Sequence, residues 1–356
     1  MLTAPLGELT VLYDTVAEAV HVLNASAGLA WEACDGSTDL DDVAAAIAAE
    51  ADIDPYAVAS DLAVGVERLA VAGLVGRPVA PPPAPELRRH VGGADPSGRV
   101  SAVLDDGVRF RCPDPSLLSD IDALLAPLDD EREATLDITV HPMPDGSVRL
   151  SGPNAEQTYA SRTSLLDALP SALNQVAASS SSCIALHAAC VRSPTAEVVL
   201  LPGTSGSGKS TLTAALVQAG WAYGTDEAVG VREGSLEVVT YQKPLVLDAS
   251  SRAVLGLIAS SSPNTSPSDL RSDVALLLGA EGPVDRVVLP RFEASATTSL
   301  SAPLPPGDAL IAIVEHVLNL RLVGEMGLAT LCQLAERVPV QQLVHGDVYA
   351  ATGVMS

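Results

Sequence analysis

A chain of 356 residues with 47% apolar content is long enough for two or three domains, each with a real core. Its net charge of −24 is spread along the chain and argues against nucleic acid and anionic membrane as partners, since both require a basic face. The five cysteines (Cys34, Cys112, Cys183, Cys190 and Cys332) form no C-x-x-C pair, no apolar run approaches a membrane span and the opening residues do not read as a signal peptide. The expectation is a cytoplasmic protein without a disulfide framework or structural zinc.

Residues 1–76 read as one small unit. Leu9–Tyr13 and Ala17–Leu23 are expected strands joined through Asp14-Thr15, and Ser26–Cys34 is a helix carrying Trp31, closed by Asp35-Gly36. Thr38 or Asp39 can cap a second helix running through Ala49. Asp54-Pro55 starts a third, with a capping carboxylate followed by proline at the first helical position. Val58, Leu62, Val66 and Leu69 form its apolar stripe, and it ends near Gly73. Two strands and three helices make a small winged-helix-like domain. The segments Val20–Asn24, Ala27–Trp31, Asp35-Gly36, Val66–Leu69 and Ala72–Val75 resemble the PqqD-like family of peptide-recognition domains. That resemblance implies binding of a precursor's leader peptide as an added strand on an open sheet edge. A DNA-binding winged helix is the competing reading, but the third helix offers only Arg68 against Glu67 and Asp61.

Residues 77–90, with Pro78, Pro81, Pro82, Pro83 and Pro85, read as an extended linker. Residues 91–182 read as a front subdomain, with strands at Val108–Arg111, Leu136–His141 and Gly146–Leu150. Helices are expected at Leu117–Leu125 and Ser164–Ala177, the second disturbed by Pro170. Residues 183–356 read as a nucleotide-binding core. Its expected strands are Cys183–Arg192, which would put Cys183 and His187 on one face, then Glu197–Leu201, Trp221–Gly224, Arg286–Arg291 and Val340–Val344. Ser260–Ser268 reads as loop, and Ala309–Leu320 and Gly327–Arg337 as helices. The overall class is α/β with α+β character, its core a central β-sheet flanked by helices.

Gly203-Thr204-Ser205-Gly206-Ser207-Gly208-Lys209-Ser210 fits the phosphate-binding loop pattern G-x-x-x-x-G-K-[ST], with an apolar strand before it and a helix after it. Glycines let successive N–H groups face phosphate oxygens, and the helix N-terminus adds partial positive charge. Lys209 would reach the β- and γ-phosphates, and the Ser210 hydroxyl would hold Mg²⁺, with Thr211 next to it. Lysine is avoided elsewhere: of 20 basic residues only Lys209 and Lys243 are lysines, which singles out Lys243 as a second site candidate beside the plain reading of a surface residue. Asp226 and Glu227 follow Lys209 by only 17 and 18 residues, suiting one acid for the metal and one for an attacking hydroxyl. A solvated acidic turn is the alternative.

His187, 22 residues before Lys209, together with the loop, Gly220 and Asp226-Glu227-Ala228-Val229, resembles HPr kinase/phosphorylase and its kinase-like relatives. The resemblance implies an HPr-kinase-like P-loop domain using ATP and Mg²⁺. It places His187 near the γ-phosphate and divides metal and base duties between Asp226 and Glu227, with Glu227 at the base position. Lys243-Pro244-Leu245, Leu289-Pro290-Arg291-Phe292 and Leu343-Val344-His345-Gly346-Asp347 are similar to HPr-kinase-related proteins that carry a PqqD-like front end. In that likeness Arg291 stabilises the transferring phosphate and Lys243 contacts phosphate or substrate. His187 as a core histidine stays open. Gly230–Thr240 departs from the family segment tied to the reverse reaction, and no L-S-G-G-Q marks an ABC-type ATPase.

The expected function is phosphorylation of a serine or threonine of a ribosomally made precursor peptide held by its leader, with other maturation enzymes as further partners. A non-catalytic ATP-binding peptide adaptor and a kinase of a folded carrier protein are the alternatives. Homo-oligomers are known in the HPr-kinase family and are compatible with this chain.

Overall fold

The computed structural model describes residues 1–75, 99–125, 128, 131, 133–152, 156–179, 182–260, 262–277 and 279–356. The chain divides into two compact units, Met1–Ala84 and Pro85–Ser356. The proline-rich stretch expected as a linker at 77–90 lies outside the described residues.

The first unit is a three-stranded antiparallel sheet, β1 (Leu2–Leu6), β2 (Leu9–Asp14) and β3 (Ala19–Leu23), followed by α1 (Ala25–Glu32), α2 (Leu40–Ala51) and α3 (Pro55–Val71). Strand β1 is an addition to the two strands expected from the sequence; its Leu2, Ala4 and Leu6 alternate inward with period two. Helix starts follow local chemistry. The side chains of Asn24, Asp39 and Asp54 accept N–H groups of Ala27, Asp41 and Tyr56, and Pro55 occupies the first turn. Val58, Leu62 and Leu69 enter the core with Leu12, Leu23 and Ala30, while Val66 is only partly covered. Trp31 packs beside them and donates its indole N–H to the Leu74 carbonyl at 3.2 Å. Helix α1 lies so close to β2 that a Cβ on Gly28 would strike the Thr10 hydroxyl.

The second unit opens with a five-stranded sheet in the order β4-β5-β6-β7-β8, built from β4 (Val100–Val103), β5 (Asp106–Arg111), β6 (Leu136–Pro142), β7 (Val148–Ser151) and β8 (Glu156–Tyr159). Helix α4 (Pro115–Leu124) lies between β5 and β6 in the chain, and α5 (Arg162–Ala177) follows β8. Helix α5 continues through Pro170, which is buried inside it. One apolar core runs from Val103, Phe110 and Ile138 through Leu165 and Leu169 to Ala185, Val239 and Tyr241. This region and the following sheets are therefore packed as one body.

Next come β9 (Ile184–Leu186), β10 (Ala188–Arg192), β11 (Val198–Pro202), α6 (Lys209–Gln218), β12 (Ala222–Thr225), β13 (Val229–Val231) and β14 (Glu237–Thr240). The short elements β15 (Leu245–Val246), α7 (Ala249–Val254), β16 (Asn264–Thr265), α8 (Pro267–Leu270) and β17 (Gly279–Pro283) follow, so the expected loop at Ser260–Ser268 contains a two-residue strand. The chain finishes with β18 (Arg286–Phe292), β19 (Ser299–Leu300), α9 (Pro306–Val314), α10 (Leu320–Arg337), β20 (Val340–His345) and α11 (Val348–Met355). Helix α9 stops earlier than expected, and α10 is broken at Gly324, whose φ of 57° and ψ of −126° are not helical.

Two sheets form here. One has the order β12-β10-β11-β18-β20-β19, with β11, β18 and β20 parallel; the other is β17-β14-β13-β9 and antiparallel. The expected single strand Cys183–Arg192 is corrected: it breaks at His187, leaving β9 in one sheet and β10 in the other. The cause is the segment 316–319, which takes over the pairing there. His187 N–H donates to the His316 carbonyl (2.7 Å), Leu318 N–H to Ala185, and the Asn319 side chain accepts the Ala185 N–H. No helix among the described residues is long and apolar enough to cross a membrane.

The tight α1–β2 contact gives a stability test. Gly28→Ala should destabilise the first unit by about 1–3 kcal/mol through overpacking. Adding Thr10→Ala, which removes the obstructing hydroxyl, should recover part of that loss. Urea unfolding followed by Trp31 fluorescence in a Trp221→Phe background reads it out, and additive effects of the two changes would show that the contact is not tight.

Candidate functional site

Strand β11 is buried along its whole length between β10 and β18, and the loop Gly203–Gly208 leaves its C-terminal end. Gly206 and Gly208 have φ of +83° and +86°, a left-handed backbone that glycine adopts without strain. Two backbone bonds pin the loop from outside, Gly203 N–H to the His187 carbonyl (3.4 Å) and Phe292 N–H to the Ser207 carbonyl (3.2 Å), and one lies within it, Ser207 N–H to the Thr204 carbonyl (3.2 Å). Helix α6 begins at Lys209 without any side-chain cap, so its first-turn amides keep their donors for another acceptor. The Ser207 hydroxyl oxygen is buried and has no hydrogen-bond partner among the described residues.

Lys209 is 6% exposed, and its ammonium forms no hydrogen bond or ion pair among the described residues. Burial pulls its pKa down to about 8; Asp226 and Glu227 partly counter this, and Lys243 adds to it. Ser210, next along the helix, is half-buried, and Thr204 and Ser205 are exposed. The hydroxyl of Thr211 is shared with Ser251 of α7 at 2.8 Å, which leaves its backbone N–H as the group it can offer a ligand.

Asp226 and Glu227 come directly after β12, where the chain leaves the six-stranded sheet for β13. Both are held by Lys243, whose ammonium is 2.9 Å from Asp226 Oδ1 and 2.7 Å from Glu227 Oε2. Lys243 was expected to contact phosphate or substrate; its side chain is instead fully buried and committed to the two acids. Burial alone would lower its pKa, but the two carboxylates outweigh burial and raise it. The Tyr223 hydroxyl donates toward the Lys243 carbonyl (2.9 Å) and Asp226 Oδ1 (3.3 Å). Burial first, and Asp226 second, push this phenol well above its usual range. The acids are unequal: the Asp226 side chain is 2% exposed and that of Glu227 26%.

His187 sits half-buried at the crossing between β9 and β10. Burial, then the Lys209 charge, lower its pKa to about 4, so the ring is neutral near pH 7. Cys183 does not share a strand face with it; its sulfur packs against Gly230, whose missing side chain makes the room. Arg291 stands apart from the buried groups. It is exposed at the end of β18 and paired with Glu293 at 2.6 Å.

Two histidines were not foreseen as site residues. His316 supplies the carbonyl that holds His187, and its own ring is shifted down by burial with a contribution from Lys209. His345 lies at the end of β20, against Gly208 of the loop Gly203–Gly208. Neither has a spacing signal, because both reach the loop from strands and turns far along the chain.

In the first unit, the outer edge of β3 has no strand beside it among the described residues. A groove of about 870 Å³ runs along it, lined by His21, Leu23, Leu29, Asp61, Leu62 and Arg68 among others.

The two lysines should be distinguishable in solution. With selectively ¹³C-labelled lysine, the Lys209 resonance should titrate near pH 8, while that of Lys243 should stay protonated beyond the ordinary lysine range of about 10.4. Two coincident titrations above pH 10 would contradict the buried, unpaired placement of Lys209. Lys243→Met should cost about 3–5 kcal/mol in urea unfolding, because it strands Asp226 as an uncompensated buried charge. No curated protein matches the chain. Residues 10–75, from β2 to just beyond α3, match the family described as coenzyme PQQ synthesis protein D (PqqD), so the N-terminal unit is PqqD-like.

Proposed function

We propose that this chain is an ATP- and Mg²⁺-dependent kinase that phosphorylates a serine or threonine of a ribosomally made precursor peptide, captured through its leader. The observation that carries the reading is Lys209: a buried ammonium without an anionic partner, at an uncapped helix start, behind a loop with two left-handed glycines. Burying such a charge is costly unless an anion completes it. The orphaned Ser207 hydroxyl in the same loop also fits a polyphosphate. The likeness of the loop, His187 and the acid pair to HPr-kinase-like proteins supports the same conclusion.

In this reading the loop amides and Lys209 hold the phosphates, and the Ser210 hydroxyl and Asp226 hold the metal. ATP supplies the transferable phosphoryl group, and Mg²⁺ neutralises charge on its oxygens. Glu227, the more exposed acid, takes the proton of the acceptor hydroxyl, while Lys243 fixes the orientation of both acids. His187 offers a neutral hydrogen-bonding ring. Arg291 can serve the transferring phosphate once it leaves Glu293. The PqqD-like unit would take the leader as a fourth strand on β3, with side chains in the groove against α3. Tethering raises the local concentration of the acceptor, so the catalytic pocket needs little affinity of its own.

One observation favours a second reading. Lys243 already neutralises both acids, an arrangement that also suits a nucleotide-dependent adaptor delivering the peptide to another enzyme. Incubation with ATP, Mg²⁺ and a precursor peptide whose leader binds the first unit decides between them. A kinase adds one phosphate to the peptide and loses at least about a hundredfold in rate with Lys209→Ala or Asp226→Asn. An adaptor leaves the peptide mass unchanged while ATP binding persists.

A further inference from the structure

His345 is 1% exposed, and neither ring nitrogen has a hydrogen-bond partner among the described residues. Asp347 bears on the ring through its charge and backbone without completing a hydrogen bond to either nitrogen. The ring stands edge-on to Phe292 with centroids 5.7 Å apart. Its Nε2 faces the phosphate loop, 3.5 Å from the point where a side chain on Gly208 would begin. Gly208 is the residue immediately before Lys209 and the cap of α6.

A neutral imidazole carries one donor and one acceptor, and burying both unmatched is unfavourable. The apolar alternative is chemically simple, since an aliphatic residue at the buried end of β20 would fill the same space. We propose that His345 belongs to the nucleotide site: with a phosphate on the loop, its Nε2–H donates a hydrogen bond at the Gly208 end, opposite the charge supplied by Lys209. The buried, unmatched nitrogen, its approach to Gly208 and the equally unmatched Ser207 hydroxyl describe a polar lining around the loop that an anion completes. This inference rests on the nucleotide-binding reading of the loop and does not depend on phosphoryl transfer.

The test compares MgADP binding by calorimetry, and melting without ligand, for the full wild-type chain, His345→Leu and His345→Gln. His345→Leu should bind MgADP about tenfold more weakly, the scale of one hydrogen bond to a charged group, while its ligand-free melting temperature stays level or rises. His345→Gln keeps a donor and should remain within about threefold of wild type. In the wild type, the ¹⁵N resonance of His345 Nε2 should shift on adding MgADP, with that of exposed His141 as the control. Unchanged affinity in His345→Leu, or an unmoved His345 resonance, overturns the proposal, and the resonance decides if the leucine variant does not fold. Lys209→Ala separates the two claims. If it abolishes binding and His345→Leu does not, the His345 proposal alone falls. If the wild type does not bind MgADP, or Lys209→Ala binds as well as wild type, the nucleotide reading falls and takes this proposal with it.

Discussion

Four charged side chains share one buried patch at the head of α6, and their mutual neutralisation is the constraint on which this half of the molecule depends. Lys243 is locked between Asp226 and Glu227, and Lys209 lies close enough for all three to shift its proton equilibrium. Two positive and two negative groups leave no formal excess, yet the pairing is lopsided, because Lys243 takes both acids and Lys209 takes neither directly. Burial penalises every one of these charges, and only close pairing offsets it. Lys209 is therefore the position at which an arriving anion gains most. Burial first keeps the His187 ring neutral and the Tyr223 phenol protonated, and a neighbouring charge reinforces each, Lys209 for the ring and Asp226 for the phenol.

The patch exists because two neighbouring stretches of chain change sheets at the same level. Strand β10 pairs with β12 in the six-stranded sheet, and β9 pairs with β13 in the four-stranded one. Leu186 is opposite Val229 and Cys190 opposite Thr225, so His187 and the acid pair both fall in the seam between these registers. Residues in a seam are released from ladder pairing, and their side chains can converge on the end of β11. Lys243 arrives just after β14 of the four-stranded sheet, while the loop belongs to the six-stranded sheet. The site is thus assembled from both sheets, with the segment 316–319 holding the crossing open.

The loop was readable because it is local: glycines at fixed offsets, a lysine and a hydroxyl need no distant partner to be recognised. The helix starts at Asp39 and Asp54 are of the same kind, each a carboxylate accepting an amide within its own turn. Lys243 could be suspected from the near absence of lysine, but its commitment to Asp226 and Glu227 could not, because that depends on where β14 ends in space. The single strand expected over Cys183–Arg192 failed for a related reason. Its apolar pattern is continuous, and the break at His187 is imposed by backbone groups more than 120 residues away. Strand β1 escaped notice because Pro5 interrupts the alternation of Leu2, Ala4 and Leu6, and a proline cannot donate to a ladder and is tolerated only where, as in this edge strand, its nitrogen needs no partner. His345 sits in the closing segment Leu343–Asp347, but as a residue it resembles any histidine at a strand end until β20 is placed two strands from β11.

By itself the sequence determined the PqqD-like front unit, the phosphate-loop pattern and the spacing of His187 and the acid pair around it, because periodicity, caps and motif offsets are properties of short stretches. Tertiary structure alone decided that Lys243 serves the acids, that Arg291 lies outside the buried patch, and that His345 faces Gly208 with both nitrogens unmatched. Those outcomes turn on burial and on distances between remote segments, and buried charge is stable or costly according to its partners, which no local pattern specifies.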